Sequence, residues 1–210
     1  MFLIYELLAI IFLIFSPIIF LIRIFLGKED IKRFKEKYCV YLNQNYHETV
    51  WFHGASVGEI LSVIPIIKNL ENNKKIKKIL ITSSTTSSAS ILKKIKFKKT
   101  THIYFPIDEV NLVKRFIKFW KPKIAIFIDS EIWPNMLNNL SKKKIPIILI
   151  NGRITSRSFN RWMLFPTFAK NIFNKISLAL PQNQETIKYL KKLNVKKIKF
   201  VGNLKYFGEK

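Results

Sequence analysis

The sequence is poor in cysteine, glycine and acidic residues. Its single cysteine, Cys39, excludes internal disulfides and any cysteine-rich zinc site, and it fits a reducing compartment. The glycine-containing loop GASVGE is neither a GxGxxG pattern nor a P-loop with GK[ST], which argues against a dinucleotide or nucleoside triphosphate site. Only 13 acidic residues oppose 37 basic ones, so the formal net charge is +24.

This positive charge has two explanations. Phosphate groups, a membrane surface or nucleic acid would each suit so basic a chain. A genome rich in A and T would also favour lysine together with the abundant Ile, Asn and Phe. Nucleic acid is the least supported partner, because the aromatic residues lie mainly in apolar segments and no RNP, KH or zinc pattern occurs.

The first 26 residues form the most apolar segment. Residues 7–22 carry no charged side chain, which is near the lower length limit for a membrane-spanning helix. A cleavable signal peptide would have positive charge before this run, so residues 1–26 are predicted to be a retained anchor. The basic residues that follow place the rest of the chain in the cytoplasm. A helix lying in the membrane interface is the alternative, because the run is short and contains Pro17.

From residue 50 onward, short apolar runs alternate with longer stretches of helical spacing. Strands are predicted at 50–53, 78–82, 102–105, 123–128, 146–150, 176–180 and 199–201. Helices are predicted near 59–70, 87–95, 109–119, 133–141, 159–172 and 183–193. This alternation predicts an α/β fold with a doubly wound parallel sheet covered on both faces. Residues 27–49 are interpreted as a basic connector that leads to this domain.

The first strand leads into the segment WFHGASVGEI, residues 51–60. In open parallel sheets, ligands collect beyond the carboxyl ends of the strands, so residues after a strand are candidates for a site. The small residues Ser56 and Gly58 would let a bulky ligand approach the backbone, and helix N–H groups can receive an anion. Glu59 lies on the first helical turn, where it either acts as a base in a cleft or only complements the helix dipole.

The fourth predicted strand is followed by IDSEIWPN, in which Asp129 and Glu131 lie two residues apart. Neighbouring carboxyl groups have separated pKa values or share protons, which is useful in acid–base chemistry and otherwise costly. Capping of the following helix explains one of the two acids, but hardly both.

The fifth predicted strand is followed by NGRITSRS, residues 151–158, which contains Asn151, Arg153 and Arg157. Only six of the basic residues are arginines, so two in one loop are not readily explained by composition. A guanidinium group binds phosphate or carboxylate oxygens in a bidentate way. The loop is therefore a candidate phosphate site, and solvated loop charge is the alternative.

Five ordered segments resemble motifs of the 3-deoxy-D-manno-octulosonic acid (Kdo) transferases. These segments are HGASVGE, DSEIWPN, NGRITSRS, PQNQET and GNLKYF, and they follow an apolar anchor and a basic connector as in that family. The resemblance implies the amino-terminal, Rossmann-like half of a metal-independent GT-B glycosyltransferase that needs no cofactor. It implies inverting transfer of Kdo from the donor CMP-Kdo to the lipid A precursor, lipid IVA, at the cytoplasmic face of the inner membrane.

The resemblance also implies roles for individual residues. Glu59 would be the general base, while Asp129 and Lys205 would stabilise the transition state. Asp129 stands where the family normally has glutamate, and Glu131 could share its task. The residues assigned to acceptor binding are Ser56, Gly58, Glu131, Asn151, Arg153 and Arg157.

The resemblance further implies that the acceptor domain occupies residues 50–205 and that residues 206–210 begin a linker. We expect the donor-binding half to be absent from this chain, so that the chain alone transfers little or no sugar. The alternative function is a truncated, non-catalytic module that is tethered to the membrane and binds an anionic lipid.

Overall fold

The computed structural model describes residues 1–41 and 47–202. The helices are α1 (Phe2–Phe25), α2 (Val57–Asn72), α3 (Thr86–Lys94), α4 (Val110–Trp120), α5 (Pro134–Lys142), α6 (Ser156–Met163), α7 (Pro166–Phe173) and α8 (Gln184–Lys192). A 3-10 helix spans Phe34–Tyr38. The strands are β1 (Thr49–His53), β2 (Lys78–Ser83), β3 (Thr100–Tyr104), β4 (Pro122–Ile128), β5 (Ile147–Gly152) and β6 (Leu178–Pro181).

The strands form one parallel sheet in the order β3-β2-β1-β4-β5-β6. Helices cover both faces, and neighbouring side chains of β1 show this directly. Trp51 packs in one buried apolar cluster and Phe52 in the other, because successive strand residues point to opposite faces. The doubly wound parallel sheet predicted from the sequence is confirmed. Its strand order reverses direction between β1 and β4, where ligands bind in open sheets of this kind.

Two predicted elements differ from the structure. Residues 199–201 are not a strand: Ile198 makes an isolated bridge to Ala179, whose carbonyl accepts from the Lys199 N–H (2.9 Å). The single helix predicted over 159–172 is two helices, α6 and α7. Pro166 begins α7, and because a residue before proline is disfavoured in the helical conformation, Phe165 adopts φ −133° and ψ 72°.

The described part of the predicted connector packs on the outer edge of β3. Arg33 donates from Nη2 to the His102 carbonyl (2.8 Å), and Glu36 Oε2 accepts from the Tyr104 N–H (2.9 Å). Cys39 is buried in the adjoining apolar cluster. These side chains satisfy backbone groups that an edge strand would otherwise expose. Residues 27–41 are therefore folded onto the domain.

Helix α1 lies along the same domain. The Tyr5 hydroxyl donates to Asp108 Oδ2 (2.8 Å), and the Ser16 and Tyr38 hydroxyls are hydrogen-bonded at 2.7 Å. Among the described residues, α1 is the helix whose length and apolar composition would allow it to cross a membrane. A signal sequence and the core helix of a soluble protein share this length and composition.

Candidate functional site

Three carboxylate side chains lie in neighbouring segments where the strand order reverses. Glu59 follows β1, and Asp129 and Glu131 follow the neighbouring β4. The three are close enough that the charges of Glu131 and Asp129 raise the pKa of Glu59. The structure therefore brings together acids that lie 70 residues apart in sequence.

Glu59 is held by the N-terminal cap of α2. Ser56 is the N-cap residue: its Oγ accepts from the Glu59 N–H (3.4 Å) and donates to Glu59 Oε1 (2.6 Å). The Ala55 N–H donates to Glu59 Oε2 (2.8 Å). This reciprocal arrangement is a variant of the capping box, in which Glu59 accepts from the N–H of the residue before the N-cap instead of from the N-cap N–H. Burial raises the pKa of Glu59 and the bonds from Ser56 and Ala55 lower it. Burial and the charges of Glu131 and Asp129 together outweigh these bonds, so the carboxyl group is a stronger base than an exposed glutamate.

Glu131 belongs to a buried hydrogen-bond chain. Its Oε2 lies 3.0 Å from His53 Nε2 and accepts from Trp133 Nε1 (2.9 Å). Burial acts to raise the pKa of Glu131, but His53 and Trp133 together lower it below its usual range. Glu131 is therefore an ionised carboxylate, which accepts the His53 N–H and repels negative charge on Glu59.

His53 is a site residue that sequence reasoning left without a role. It is fully buried at the end of β1, and its Nδ1 lies 2.9 Å from the Thr82 hydroxyl. That hydroxyl also accepts from Trp51 Nε1 (2.9 Å). The sequence signal for His53 was that a polar residue ends a strand that was itself predicted to be buried. The contact with Glu131, 78 residues later in the chain, had no sequence signal.

Two residues at the carboxyl ends of β4 and β5 have unusual backbone geometry. Asp129 and Asn151 adopt left-handed conformations with φ +61° and +50°. Aspartate and asparagine tolerate this region better than other non-glycine residues, and such strain collects at functional sites. The Asp129 carbonyl accepts from the Arg153 N–H (3.1 Å), which joins the two loops. Asn151 is only 2% exposed, so its position suits holding the loop better than touching a ligand.

The two arginines of this loop are exposed. Arg153 follows β5, and Arg157 lies in the first turn of α6, whose N-cap Thr155 accepts from the Ser158 N–H (3.2 Å). Within residues 1–41 and 47–202, neither guanidinium group forms a salt bridge. Both are available to an anion beside the carboxyl edge of the sheet.

Two glycines of the first loop differ in what surrounds them. A Cβ atom at Gly54 would lie 3.0 Å from Ile128 Cδ1 and 3.1 Å from Glu59 Cβ, so close packing requires glycine there. At Gly58, apart from the adjoining residues and the backbone of α2 itself, no described atom lies within 4 Å of the corresponding position. Gly58 therefore leaves open space in the first turn of α2.

The remaining predicted site residue, Lys205, lies outside the described residues. In the part of the chain that the structure describes, no group of three or more His, Cys, Asp or Glu side chains is arranged to hold a metal ion.

Comparisons with known proteins identify relatives by sequence and a similar fold. Residues 32–207 match the family model described as 3-Deoxy-D-manno-octulosonic-acid transferase (kdotransferase). The chain is 34% identical to the 3-deoxy-D-manno-octulosonic acid transferase of Rickettsia bellii, over 92% of this chain and 46% of that protein. It is 29% identical to the protein of the same name from Haemophilus influenzae, over 89% of this chain and 46% of that protein. The chain thus spans about half the length of these relatives.

A solved structure with a similar fold is the UDP-GlcNAc 2-epimerase from Neisseria meningitidis bound to UDP-GlcNAc. The TM-score is 0.52 at 16% identity, over 74% of this chain and 47% of that chain. At this identity the likeness shows the fold alone, a Rossmann-like half of the GT-B kind. Because the family model matches most of the sequence and includes every strand of the sheet, the chain belongs to the 3-deoxy-D-manno-octulosonic acid (Kdo) transferase family.

Proposed function

We propose that this chain is the acceptor-binding half of an inverting glycosyltransferase that moves Kdo from CMP-Kdo to the lipid A precursor, lipid IVA. The observation that carries the proposal is the environment of Glu59. A capping box holds this carboxylate at the reversal of strand order, and burial together with two neighbouring carboxylates raises its pKa. A general base is most effective when its pKa approaches the operating pH.

In the proposed reaction, Glu59 accepts the proton of an acceptor hydroxyl. The hydroxyl oxygen forms a bond to the anomeric carbon of Kdo, and the bond from that carbon to the CMP phosphate breaks. Positive charge grows on the sugar in such a transition state, and Asp129 stabilises it. Lys205 offsets negative charge on the leaving CMP. This scheme uses neither a metal nor another cofactor.

The acceptor would bind along the same edge of the sheet. Arg153 and Arg157 would bind its phosphate groups, since both are exposed in the segment that is hydrogen-bonded to Asp129 through the Arg153 N–H. Ser56 and Gly58 would border the sugar, because the space before α2 is open. Helix α1 would keep this edge at the cytoplasmic face of the inner membrane, where the lipid acceptor resides.

The test supplies a carboxyl-terminal half from a family member, fused to this chain or added as a second chain, together with CMP-Kdo. Glu59→Gln should reduce transfer by about a hundredfold to ten-thousandfold, because the amide cannot take the proton. Binding of lipid IVA should stay near normal. Glu48→Gln is the matched control, since Glu48 is an exposed acid that pairs with Lys123 at the start of β4.

Near-normal transfer by Glu59→Gln would remove Glu59 from the reaction. Acceptor binding without transfer by the unaltered chain, even with the second half present, would instead support the non-catalytic lipid-binding module.

A further inference from the structure

A crevice of about 480 Å³ separates part of α1 from the domain. Its α1 wall includes Leu8, Ala9 and Phe12, and its domain wall includes Phe105, Ile107 and Trp133. This volume lies within the range of small-molecule sites, roughly 300–1,000 Å³. The surfaces that face each other are mainly hydrocarbon, so the crevice suits an apolar ligand.

The charged groups in the walls already have protein partners. Asp108 accepts from the Tyr5 hydroxyl (2.8 Å) and from the backbone N–H groups of Asn135 (3.0 Å) and Met136 (2.8 Å). The Lys37 ammonium lies 2.7 Å from Glu29 Oε1, whose side chain is almost completely buried. A ligand in the crevice would therefore meet carbon atoms rather than unpaired charge.

The outer end of the crevice opens onto the apolar surface of α1. Leu8 and Phe12 line the crevice and are still 58% and 45% exposed, so they form its mouth. Leu7 and Ile11 continue the same exposed hydrocarbon surface along the helix. The mouth and the outer face of α1 together form one continuous apolar surface.

The inner end of the crevice reaches the candidate active site. Trp133 lines it and donates from its indole to Glu131, one of the three carboxylates. Ser84, the first residue after β2, lies in the same wall. The crevice therefore runs from the outer face of α1 to the carboxyl edge of the sheet.

The contacts of α1 also restrict its orientation. They extend from Tyr5, through Ser16, to Arg23, which pairs with Glu29 at 3.1 Å. Eighteen residues of helix span about 27 Å, close to the thickness of the hydrocarbon core of a membrane. A helix docked on the domain over that length suits a position in the membrane interface, with its outer face toward lipid.

We propose that this crevice binds one acyl chain of the lipid acceptor, with α1 as one of its walls. The inference rests on the proposed function and deepens it: α1 is part of the acceptor site as well as an attachment to the membrane. An acyl chain in the crevice would bring its polar headgroup toward Glu59, because the inner end lies beside the carboxylates.

Photo-crosslinking tests this assignment without any measurement of sugar transfer. The full 210-residue chain is incorporated into vesicles, mixed with a lipid IVA analogue that carries a diazirine on one acyl chain, and irradiated. Mass spectrometry should find label on Phe105 and Ile107 in addition to the outer face of α1. Unlabelled lipid IVA should compete for the domain label, whereas its deacylated form should not.

Two variants close the crevice. Ala9→Trp should remove most of the domain label by filling the space, and Leu8→Trp should do the same at the half-exposed mouth, where folding is least at risk. Ile14→Trp is the matched control on α1, since Ile14 is 65% exposed and does not line the crevice. It should leave the domain label unchanged.

Label confined to the outer face of α1 would overturn the assignment, as would domain label that unlabelled lipid IVA fails to reduce. The latter result would mean that bulk membrane lipid occupies the crevice. Sugar transfer is measured separately with a family donor half and CMP-Kdo present, because the chain alone is expected to transfer little or no sugar. Retained crosslinking without transfer under those conditions would support the acyl site and contradict the proposed function. Normal transfer without domain label would contradict the acyl site alone.

Discussion

At the scale of single residues, Glu59 combines a structural and a chemical role. Its carboxylate completes the capping box of α2, and these hydrogen bonds fix its position. The same bonds lower its pKa, but burial and the charges of Glu131 and Asp129 raise it by more. The helix cap therefore supplies the geometry, and the neighbouring carboxylates adjust the basicity.

The influence of neighbouring charge on the pKa of Glu59 predicts the effect of Glu131→Gln. The substitution removes a negative charge that raises the pKa of Glu59, so the pKa of Glu59 should fall. The acid limb of the profile of kcat/KM against pH, measured with a family donor half present, should move to lower pH.

Trp133→Phe serves as the control for that experiment. It removes one hydrogen bond to Glu131 but keeps the charge, and it should shift the acid limb less. An acid limb that does not move in Glu131→Gln would show that the group controlling it is not coupled to Glu131.

At the scale of secondary-structure elements, one carboxyl group joins two helices to the loop after β3. The N-cap residue of α5, Trp133, makes no side-chain cap, and Asp108 replaces it by accepting from the first N–H groups of the helix. Tyr5 of α1 donates to the same carboxyl group. Asp108 therefore caps α5 and holds α1 against the domain. Both interactions use its carboxyl oxygen atoms as acceptors.

Burial of Asp108 predicts an unusual dependence of stability on pH. Burial raises the pKa of Asp108 from 3.8 to about 7 despite the bonds it accepts. Between these values the folded chain holds a proton that the unfolded chain releases, so this group's contribution to stability decreases as pH rises. The decrease is at most about 1.4 kcal/mol per pH unit, and it ends near pH 7.

Asp108→Asn removes this titration. Urea unfolding in detergent, followed by tryptophan fluorescence at pH 4 to 8, should give a free energy that falls more with pH in the unaltered chain than in the variant. Glu131 has the opposite shift and stabilises less as pH falls, but it is present in both proteins and cancels in the comparison. If the free energies of unfolding of the two proteins change with pH in the same way, this result would contradict the raised pKa of Asp108.

At the scale of the whole molecule, many lysines lie away from the candidate site. Lys78 and Lys123 lie at the starts of β2 and β4, and residues 142–144 precede β5. The last turns of α3, α4, α5 and α8 are also basic. These positions are at the amino edge of the sheet, where positive charge complements helix carboxyl termini. The candidate anion-binding groups at the other edge are the two loop arginines.

This distribution predicts which basic residues bind the acceptor. Arg153→Lys should weaken binding of bisphosphorylated lipid A precursor by roughly tenfold or more, because a lysine cannot form the bidentate pair and a charge-assisted hydrogen bond contributes about 1.5–3 kcal/mol. Binding of the dephosphorylated lipid should change little. Lys143→Gln, at the amino edge, should alter neither, although it removes a full charge.

Calorimetric titration of both lipids into detergent-solubilised protein provides the measurement. Equal losses for the two lipids in Arg153→Lys would assign the arginine a structural role. A large loss in Lys143→Gln would show that general positive charge, rather than the arginine loop, attracts the phosphates.

The pattern of the sequence determined the fold class and the positions of most elements. Apolar runs such as residues 124–128 have to be buried on both faces, and the stretches between them have helical spacing, so a covered parallel sheet is the arrangement that buries both. The same logic placed Glu59, Asp129 and Arg153 after strands. The predictions from local composition were wrong at two places. A single proline, Pro166, divides the helix predicted over 159–172, and the short run at residues 199–201 has no covered face and forms no strand.

Tertiary structure alone decided which side chains meet. His53 binds Glu131 across 78 residues, Asp108 caps a helix that begins 26 residues later, and Tyr5 docks on that same aspartate from the far end of the chain. Such contacts depend on strand order and helix packing, which no local spacing encodes. The residue types that could do chemistry are therefore readable from the sequence. Their pKa values, and the apolar crevice beside them, arise from burial and neighbours that only the folded chain creates.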